Sequence, residues 1–235
     1  MNSESSSTTT SIPCVKCTEG DGSFFRLENT RLAGYCIKCF PKVIQHKFAS
    51  SLGRNRVFKT PDQRNALLVF TTKKQLESLQ LLKLTFKAIS GPEDHRILKL
   101  DAKLEKFSNL ISNCRSPSVR LELLRLIRTK LLAKYASYFG FPSVLLSENA
   151  DQLATETINS LCFGRGSSIF DISSVVDDRL LSHSLPFVNH SIQFIRPLRD
   201  ISCKELVALD RIESCEDIEE NGIDTKINGI IKGRK

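Results

Sequence analysis

The sequence predicts an α/β protein, a parallel sheet covered by helices, with a small cysteine-built module ahead of it. Two observations carry this. From Ser116 onward the pattern reads helix, strand, helix, strand, helix with short joints, an order that leaves the helices to return the chain and the strands to run parallel. Ahead of that unit, Cys14-Val-Lys-Cys17 and Cys36-Ile-Lys-Cys39 form two matched C-x2-C pairs separated by Thr18 to Tyr35. A chain of 235 residues, 40% hydrophobic, is long enough for one small module and one domain with its own core.

Residues 1–11 are almost all Ser, Thr, Asn and Glu, with no apolar stretch and no basic amphipathic face. They read as a disordered tail rather than an export signal. No apolar run reaches the ~18 residues of a spanning helix, so no membrane contact is expected. These features place the chain in a reducing compartment, the cytoplasm, where its eight cysteines stay thiols or bind metal. The two C-x2-C pairs have the spacing of two knuckles closing on one tetrahedral zinc ion. Cys14, Cys17, Cys36 and Cys39 are the expected ligands, and four protein ligands make the site structural, with no open position. A disulfide pair and a redox C-x-x-C are the competing readings. Residues 12–40 then form a zinc ribbon, with Phe24–Leu27 pairing against Arg31–Tyr35, and Lys16 and Lys38 offset the thiolate charge. Cys114, Cys162, Cys203 and Cys215 are scattered and read as buried small hydrophobes.

Pro41 opens a helix with an apolar stripe of Val43, Ile44, Phe48 and Leu52, ending near Gly53. Leu67–Phe70 reads as a buried strand, Leu76–Phe86 as the helix after it and His95–Leu100 as a second strand. Ser116 and Pro117 start a long helix whose apolar positions are Leu121, Leu124, Ile127, Leu131 and Tyr138, widened by Leu123 and Leu126. Gly140 and Pro142 stop it. Ser143–Ser147 is a strand, Asp151–Phe163 a helix ended by Gly164-Arg165-Gly166, and Ile192–Arg196 another strand. Ser202 and Glu205 make a capping box for a last helix through Leu209. The domain is expected over 41–210, with 211–235 a polar tail.

The net charge of +8 is unevenly spread. Asn29–Pro61 contains no acidic residue, and a second run, Arg115, Arg120, Arg125, Arg128, Lys130 and Lys134, has Glu122 as its only acid. Beside a zinc ribbon, a basic face suits phosphate backbones. The alternative is a solvated helix face.

Several stretches together resemble a known family: CVKC…YCIKCF, HKFASSLGRNR, the unit LRTKLLAKYASYFGF-PSVLLSENADQLATETINSLCFGRG, and IRPLRDISCKEL. In this order they resemble the cytoplasmic tRNA 2-thiolation protein 2 family. The resemblance implies a PP-loop ATPase-like doubly wound sheet behind the ribbon. It also implies a role as the non-catalytic partner of a PP-loop thiolase subunit that modifies wobble uridine (U34) in tRNA. Sulfur reaches such a complex indirectly, from a ubiquitin-like carrier.

Against active PP-loop enzymes the sequence departs in two places. The strand Leu67–Phe70 is followed by Thr71 to Ser78 without a glycine, so the phosphate loop is degenerate and ATP binding is doubtful; Thr71 and Lys73 are what remain of it. The second signature is replaced by Ser147 to Gln152, where Asp151 is the surviving carboxylate. Candidate tRNA contacts are Lys42, Lys47, Arg54, Arg56 and Arg165. The family usually continues to a second cysteine-rich ribbon, so the chain reads as a short or truncated member. The competing function is a zinc-ribbon nucleic-acid-binding protein with no part in thiolation.

Overall fold

A computed structural model describes residues 12–26, 34–58, 66–70, 75–88, 96–99, 104–177 and 192–216. The expected tail over 1–11 and the last part of the other, 217–235, lie outside these described residues. A two-stranded antiparallel ribbon, β1 (Phe25–Arg26) with β2 (Gly34–Tyr35), precedes helix α1 (Phe40–Arg54). The main sheet then forms from β3 (Ala66–Phe70), β4 (Arg96–Lys99), β5 (Ser143–Leu145), β6 (Val176–Asp177) and β7 (Gln193–Ile195), in the order β4-β3-β5-β7-β6. Helix α2 (Gln75–Ala88) joins β3 to β4. Short α3 (Ser108–Ser112) and long α4 (Pro117–Phe139) lead to β5, and α5 (Ala150–Cys162) and α6 (Ile169–Ser173) lead to β6. Helix α7 (Cys203–Glu216) follows β7.

The neighbours β4, β3, β5 and β7 pair in parallel, as the helix–strand order requires. One strand departs from the expected all-parallel sheet: β6 runs antiparallel to β7 at the edge. It lies between Gly166 and Ile192, where no strand is expected, and two residues on an edge carry too short a pattern to announce one.

Alternation within strands divides the core into two layers. Ala66, Leu68, Leu145 and Ile195 meet Phe40, Ile44 and Phe48 of α1, Leu81, Leu82 and Leu84 of α2, and Leu206 and Leu209 of α7. Leu67, Val69, Val144 and Phe194 face the other way, against Leu132, Ala133 and Ala136 of α4. Period-two side chains on strands buried on both faces produce this sorting.

Most elements lie where the spacing places them, but three expectations need correcting. Helix α4 buries Leu132, Ala133 and Ala136, while Leu121, Leu126 and Tyr138 of the expected apolar face are exposed. Leucines ring this helix, so their spacing alone does not select a face. Helix α7 continues past 210 to Glu216, and Ile212 and Glu213 are buried. Glu213 accepts from Gln80 and Lys83 of α2 (3.1 Å each), which is why a charged stretch continues the helix instead of starting the tail. Cys162 is exposed and Cys114 and Cys203 are only half-buried, so none of these three is a core residue. The Ser202–Glu205 box forms as expected: Ser202 N–H donates to Glu205 (2.9 Å), and Glu205 N–H donates to the Ser202 hydroxyl (3.3 Å).

Candidate metal centre and the crevice over the sheet

The four ribbon cysteines converge. Their sulfurs all lie within 4.8 Å of one another, with Cys14 and Cys36 buried and Cys17 and Cys39 half-buried. Each pair is closed by a tight turn: Thr18 N–H donates to Cys14 O (2.8 Å), while Cys39 and Phe40 N–H donate to Cys36 O (3.1 and 3.0 Å). The Cys17 and Cys36 sulfurs are 3.8 Å apart. Four sulfurs at ~2.3 Å from one tetrahedral ion are separated by ~3.8 Å, so the set fits a single metal ion.

Backbone donors tune this cluster. Lys16 N–H and Cys36 N–H point at the Cys14 sulfur (3.4 and 3.3 Å). Burial pushes the Cys14 thiol up, yet the N–H groups of Cys36, Cys17 and Lys16 together overcome it and bring the thiol down to about 6. Cys39 is pushed up to about 12 by hydrogen bonding to the Cys36 sulfur, by burial and by its other thiol neighbours. Metal binding to such a set requires thiolates, so it is coupled to proton release.

Sequence spacing does not reveal two further residues of this centre. At Gly20 an added Cβ would stand 3.0 Å from Cys36 Cβ and 3.2 Å from Cys17 Sγ. At Gly34 it would stand 2.1 Å from the Gly22 carbonyl oxygen. Any side chain at Gly34 forces the ribbon apart. The C-x2-C pattern marks ligands, while these glycines reflect backbone contacts between segments remote in sequence.

Phe40 fuses the ribbon to the domain. Cys39 is the N-cap of α1, and Phe40, fully buried, packs edge-on or tilted against Phe24, Phe25 and Tyr35 on one side while belonging to the α1–sheet core on the other.

The second place of interest is the C-terminal edge of the sheet. From β3 the chain moves to β4 on one side and then to β5 on the other, with α2 and α4 on opposite faces, so the strand order reverses between β3 and β5. Doubly wound folds bind ligands at this reversal. Thr71 and Lys73 lie outside the described residues. Side chains of α2 and of the loop after β5 meet beside it: Ser78 and Ser147, both fully buried, are bonded hydroxyl to hydroxyl at 3.4 Å. Gln152 donates to Glu77 across the same mouth (2.9 Å). Glu77 occupies the first turn of α2. Its negative charge there opposes a phosphate at the helix end that would otherwise attract one. Asp151 accepts from the N–H of Cys203 at 2.6 Å and so serves the start of α7.

Beside this mouth lies an ion network that the sequence does not announce. Arg196, 7% exposed, donates to Glu148 (2.8 Å) and to Asp177 on β6 (3.2 Å), and Arg128 reaches Glu148 at 3.3 Å. The antiparallel edge strand is thereby tied to the loop after β5.

The expected tRNA contacts separate by their surroundings. Lys42, Arg54 and Arg56 are exposed on or just after α1. Lys47 is held by Glu205 at 2.6 Å, and Arg165 by Glu122 at 2.6 Å while lying over the Phe163 ring.

Cytoplasmic tRNA 2-thiolation protein 2 of Caenorhabditis elegans is 26% identical over 249 residues, covering 82% of this chain and 68% of that protein. The human protein of the same name is 26% identical over 125 residues, 53% of this chain and 22% of its own length. The chain is a homologue of cytoplasmic tRNA 2-thiolation protein 2. It therefore matches about two thirds of the nematode relative and about a fifth of the human one. No family model matches it. Among solved structures, the U34-tRNA thiolase NcsA from Methanococcus maripaludis with its [4Fe-4S] cluster aligns at TM-score 0.58 and 14% identity, over 95% of this chain and 86% of that one. This likeness bears out the PP-loop ATPase-like α/β fold. Among the described residues the one cluster of three or more metal-ligating side chains is the ribbon tetrad.

Proposed function

We propose that this chain is the tRNA-binding scaffold subunit of a cytoplasmic complex that 2-thiolates wobble uridine in tRNA. In this reading a separate PP-loop subunit performs the chemistry, fed by a ubiquitin-like sulfur carrier. The observation that carries it is the crevice between β3 and β5. An adenylating enzyme needs backbone N–H donors fixed around pyrophosphate at that point. Here the segment from Thr71 to Ser78 has no glycine, Ser78 and Ser147 bond to each other, and Glu77 adds negative charge at the helix end. The names of the relatives support the process, and the glycine-free segment after β3 supports the division of labour.

The ribbon is assigned a structural zinc ion on Cys14, Cys17, Cys36 and Cys39. Sulfurs as close as these suit one ion better than a four-iron cube, whose corners hold its thiolates farther apart. Lys42, Arg54 and Arg56 are the positions of the expected tRNA set whose charge stays exposed.

The test is cellular and chemical together. Removing the gene should abolish 2-thiouridine at position 34 of its tRNAs, and restoring the chain should return it. Affinity purification of the chain should bring down a PP-loop thiolase. Purified alone with ATP and tRNA, the chain should release no pyrophosphate. Unchanged 2-thiouridine after removal overturns the thiolation role, and tRNA-dependent pyrophosphate release by the lone chain overturns the scaffold assignment.

A further inference from the structure

We propose that the outer face of α4 is a second RNA-contact surface, on which Arg115, Arg120, Lys130 and Lys134 meet phosphates and Tyr138 stacks on a base. This rests on the proposed tRNA-binding role and extends it to a different part of the molecule.

The basic run from Arg115 to Lys134 is a single stretch in sequence, but the structure divides it by face. Arg125 is bound to Glu122 (2.8 Å) and Glu156 (3.3 Å), and Arg128 to Glu148 (3.3 Å). These two cations point inward and hold α4 to α5 and to the loop after β5. Arg115, Arg120, Lys130 and Lys134 are exposed, and among the described residues no carboxylate lies within ion-pair distance of any of them. Arg120 donates only to the Cys114 carbonyl (2.9 Å), which leaves its charge uncompensated.

Helical geometry aligns the unpaired set. At 100° per residue, Arg120, Lys130, Lys134 and Tyr138 fall within an arc of about 80°, and Lys130, Lys134 and Tyr138 stand on successive turns. From Arg120 to Tyr138 the stripe is about 27 Å long at ~1.5 Å per residue. Glu122, the only acid of the run, lies on the opposite side, where Arg125 and Arg165 engage it.

The face is also unusual in its uncharged members. Tyr138 is 81% exposed, and Val119 and Leu126 are exposed beside the cations. A helix face turned only to water has no need of an open aromatic ring at the end of a row of unpaired lysines. Phosphate neutralisation with base stacking on a neighbouring ring is how single strands and RNA loops are held. Charge complementarity thus selects a polyanion, and the ring selects one with bases. The ion pairs from Glu122, Arg125 and Arg128 anchor the N-terminal half of the stripe beside the C-terminal edge of the sheet, so a bound strand leads toward the strand reversal between β3 and β5.

The full-length chain tests this with a fluorescently labelled tRNA transcript, titrated between about 50 and 200 mM salt. Replacing Arg115, Arg120, Lys130 and Lys134 by Ala should lower the slope of log affinity against log salt by about three units, at ~0.7–0.9 per lost phosphate contact. Exchanging each Lys for Arg and each Arg for Lys should restore the slope, which separates charge from folding. Tyr138→Ala should weaken binding about 5- to 100-fold with the slope unchanged, and Tyr138→Phe should keep it. A slope unmoved in the quadruple variant overturns the proposal. So does a variant that keeps tRNA but no longer retains the thiolase subunit, since the face is then a protein contact. A chain that binds no tRNA at any salt overturns the proposal too, while 2-thiouridine in cells still reports on the thiolation role independently.

Discussion

The ribbon and the crevice over the sheet are the two places where this sequence promises chemistry, and they behave oppositely. In the ribbon, local turns of four residues bring each cysteine pair together, and two such turns complete a metal set. In the crevice, the fold still provides the strand reversal at which doubly wound proteins bind ligands. Its described side chains, however, bond to each other: Ser78 meets Ser147, and Glu77 meets Gln152. The ribbon gathers four donors, while between β3 and β5 the described side chains pair with one another. A binding site is a property of side chains and backbone donors placed on a fold, and the fold outlives them.

The largest test of this contrast is Cys36→Ser. Structural zinc contributes ~10–16 kcal/mol of apparent folding free energy in small zinc modules, and loss of one ligand forfeits much of it. We expect metal content near zero, a ribbon sensitive to protease and exposure of Phe40, which packs between the ribbon and the α1–sheet core. The far core of Leu132, Ala136 and Phe194 should persist. Full zinc retention would break the comparison at its first member. Arg196→Ala is the corresponding blow at the crevice rim. It strips the guanidinium from Asp177, itself 2% exposed, and from Glu148. Breaking a buried pair costs about 3–5 kcal/mol, so the melting temperature should fall steeply while zinc stoichiometry stays at one. If Arg196→Met recovers most of the loss, the network is a fastening rather than a functional charge.

How much of the molecule is legible in its sequence depends on distance along the chain. Capping signals such as Ser202 with Glu205, and stop signals such as Gly140, act within a few residues, and the helices start and end close to them. The ribbon ligands are likewise two local motifs. The features that the sequence conceals depend on partners far away. Which side of α4 is buried is decided by the sheet it meets, because leucines lie all round the helix. The standing of Lys47 and Arg165 as paired residues comes from Glu205 and Glu122, which no spacing rule connects to them. Helix α7 outruns its expected end because α2 supplies partners for Glu213.

Gly34→Ala should have a smaller effect, and it sharpens the ribbon side alone. A Cβ there meets the Gly22 carbonyl oxygen at 2.1 Å, so the backbone must move. Overpacking of this kind costs about 1–3 kcal/mol. Zinc should still bind, more weakly, in a competition assay with a chromophoric chelator, while crevice contacts are untouched. An affinity equal to wild type would mean the ribbon tolerates the displacement and that its sulfurs are less strictly held than their spacing implies.

The smallest expected effect lies on the crevice side, at Glu122. Hydrogen bonding to Arg125 holds its carboxyl below the usual carboxylate range against the opposing pull of burial, with the charges of Arg125 and Arg165 adding to the depression. A carboxylate depressed on folding adds stability that is fully present above its unfolded pKa and disappears as pH falls through its folded one. Glu122→Gln should therefore cost at most ~1 kcal/mol at neutral pH, as half-exposed ion pairs do. The deficit should shrink below pH 4.5 or so, and the two proteins should converge in stronger acid. Thermal unfolding of both across that range measures it. The substitution also takes Glu122 from Arg165 and leaves Arg125 with Glu156, so it adds net positive charge next to the outer stripe of α4. A pH-independent deficit would mean that Glu122 acts through its shape and not its charge. The inward cations would then be packed rather than paired, and the division of α4 into a paired and an unpaired face would lose its electrostatic basis.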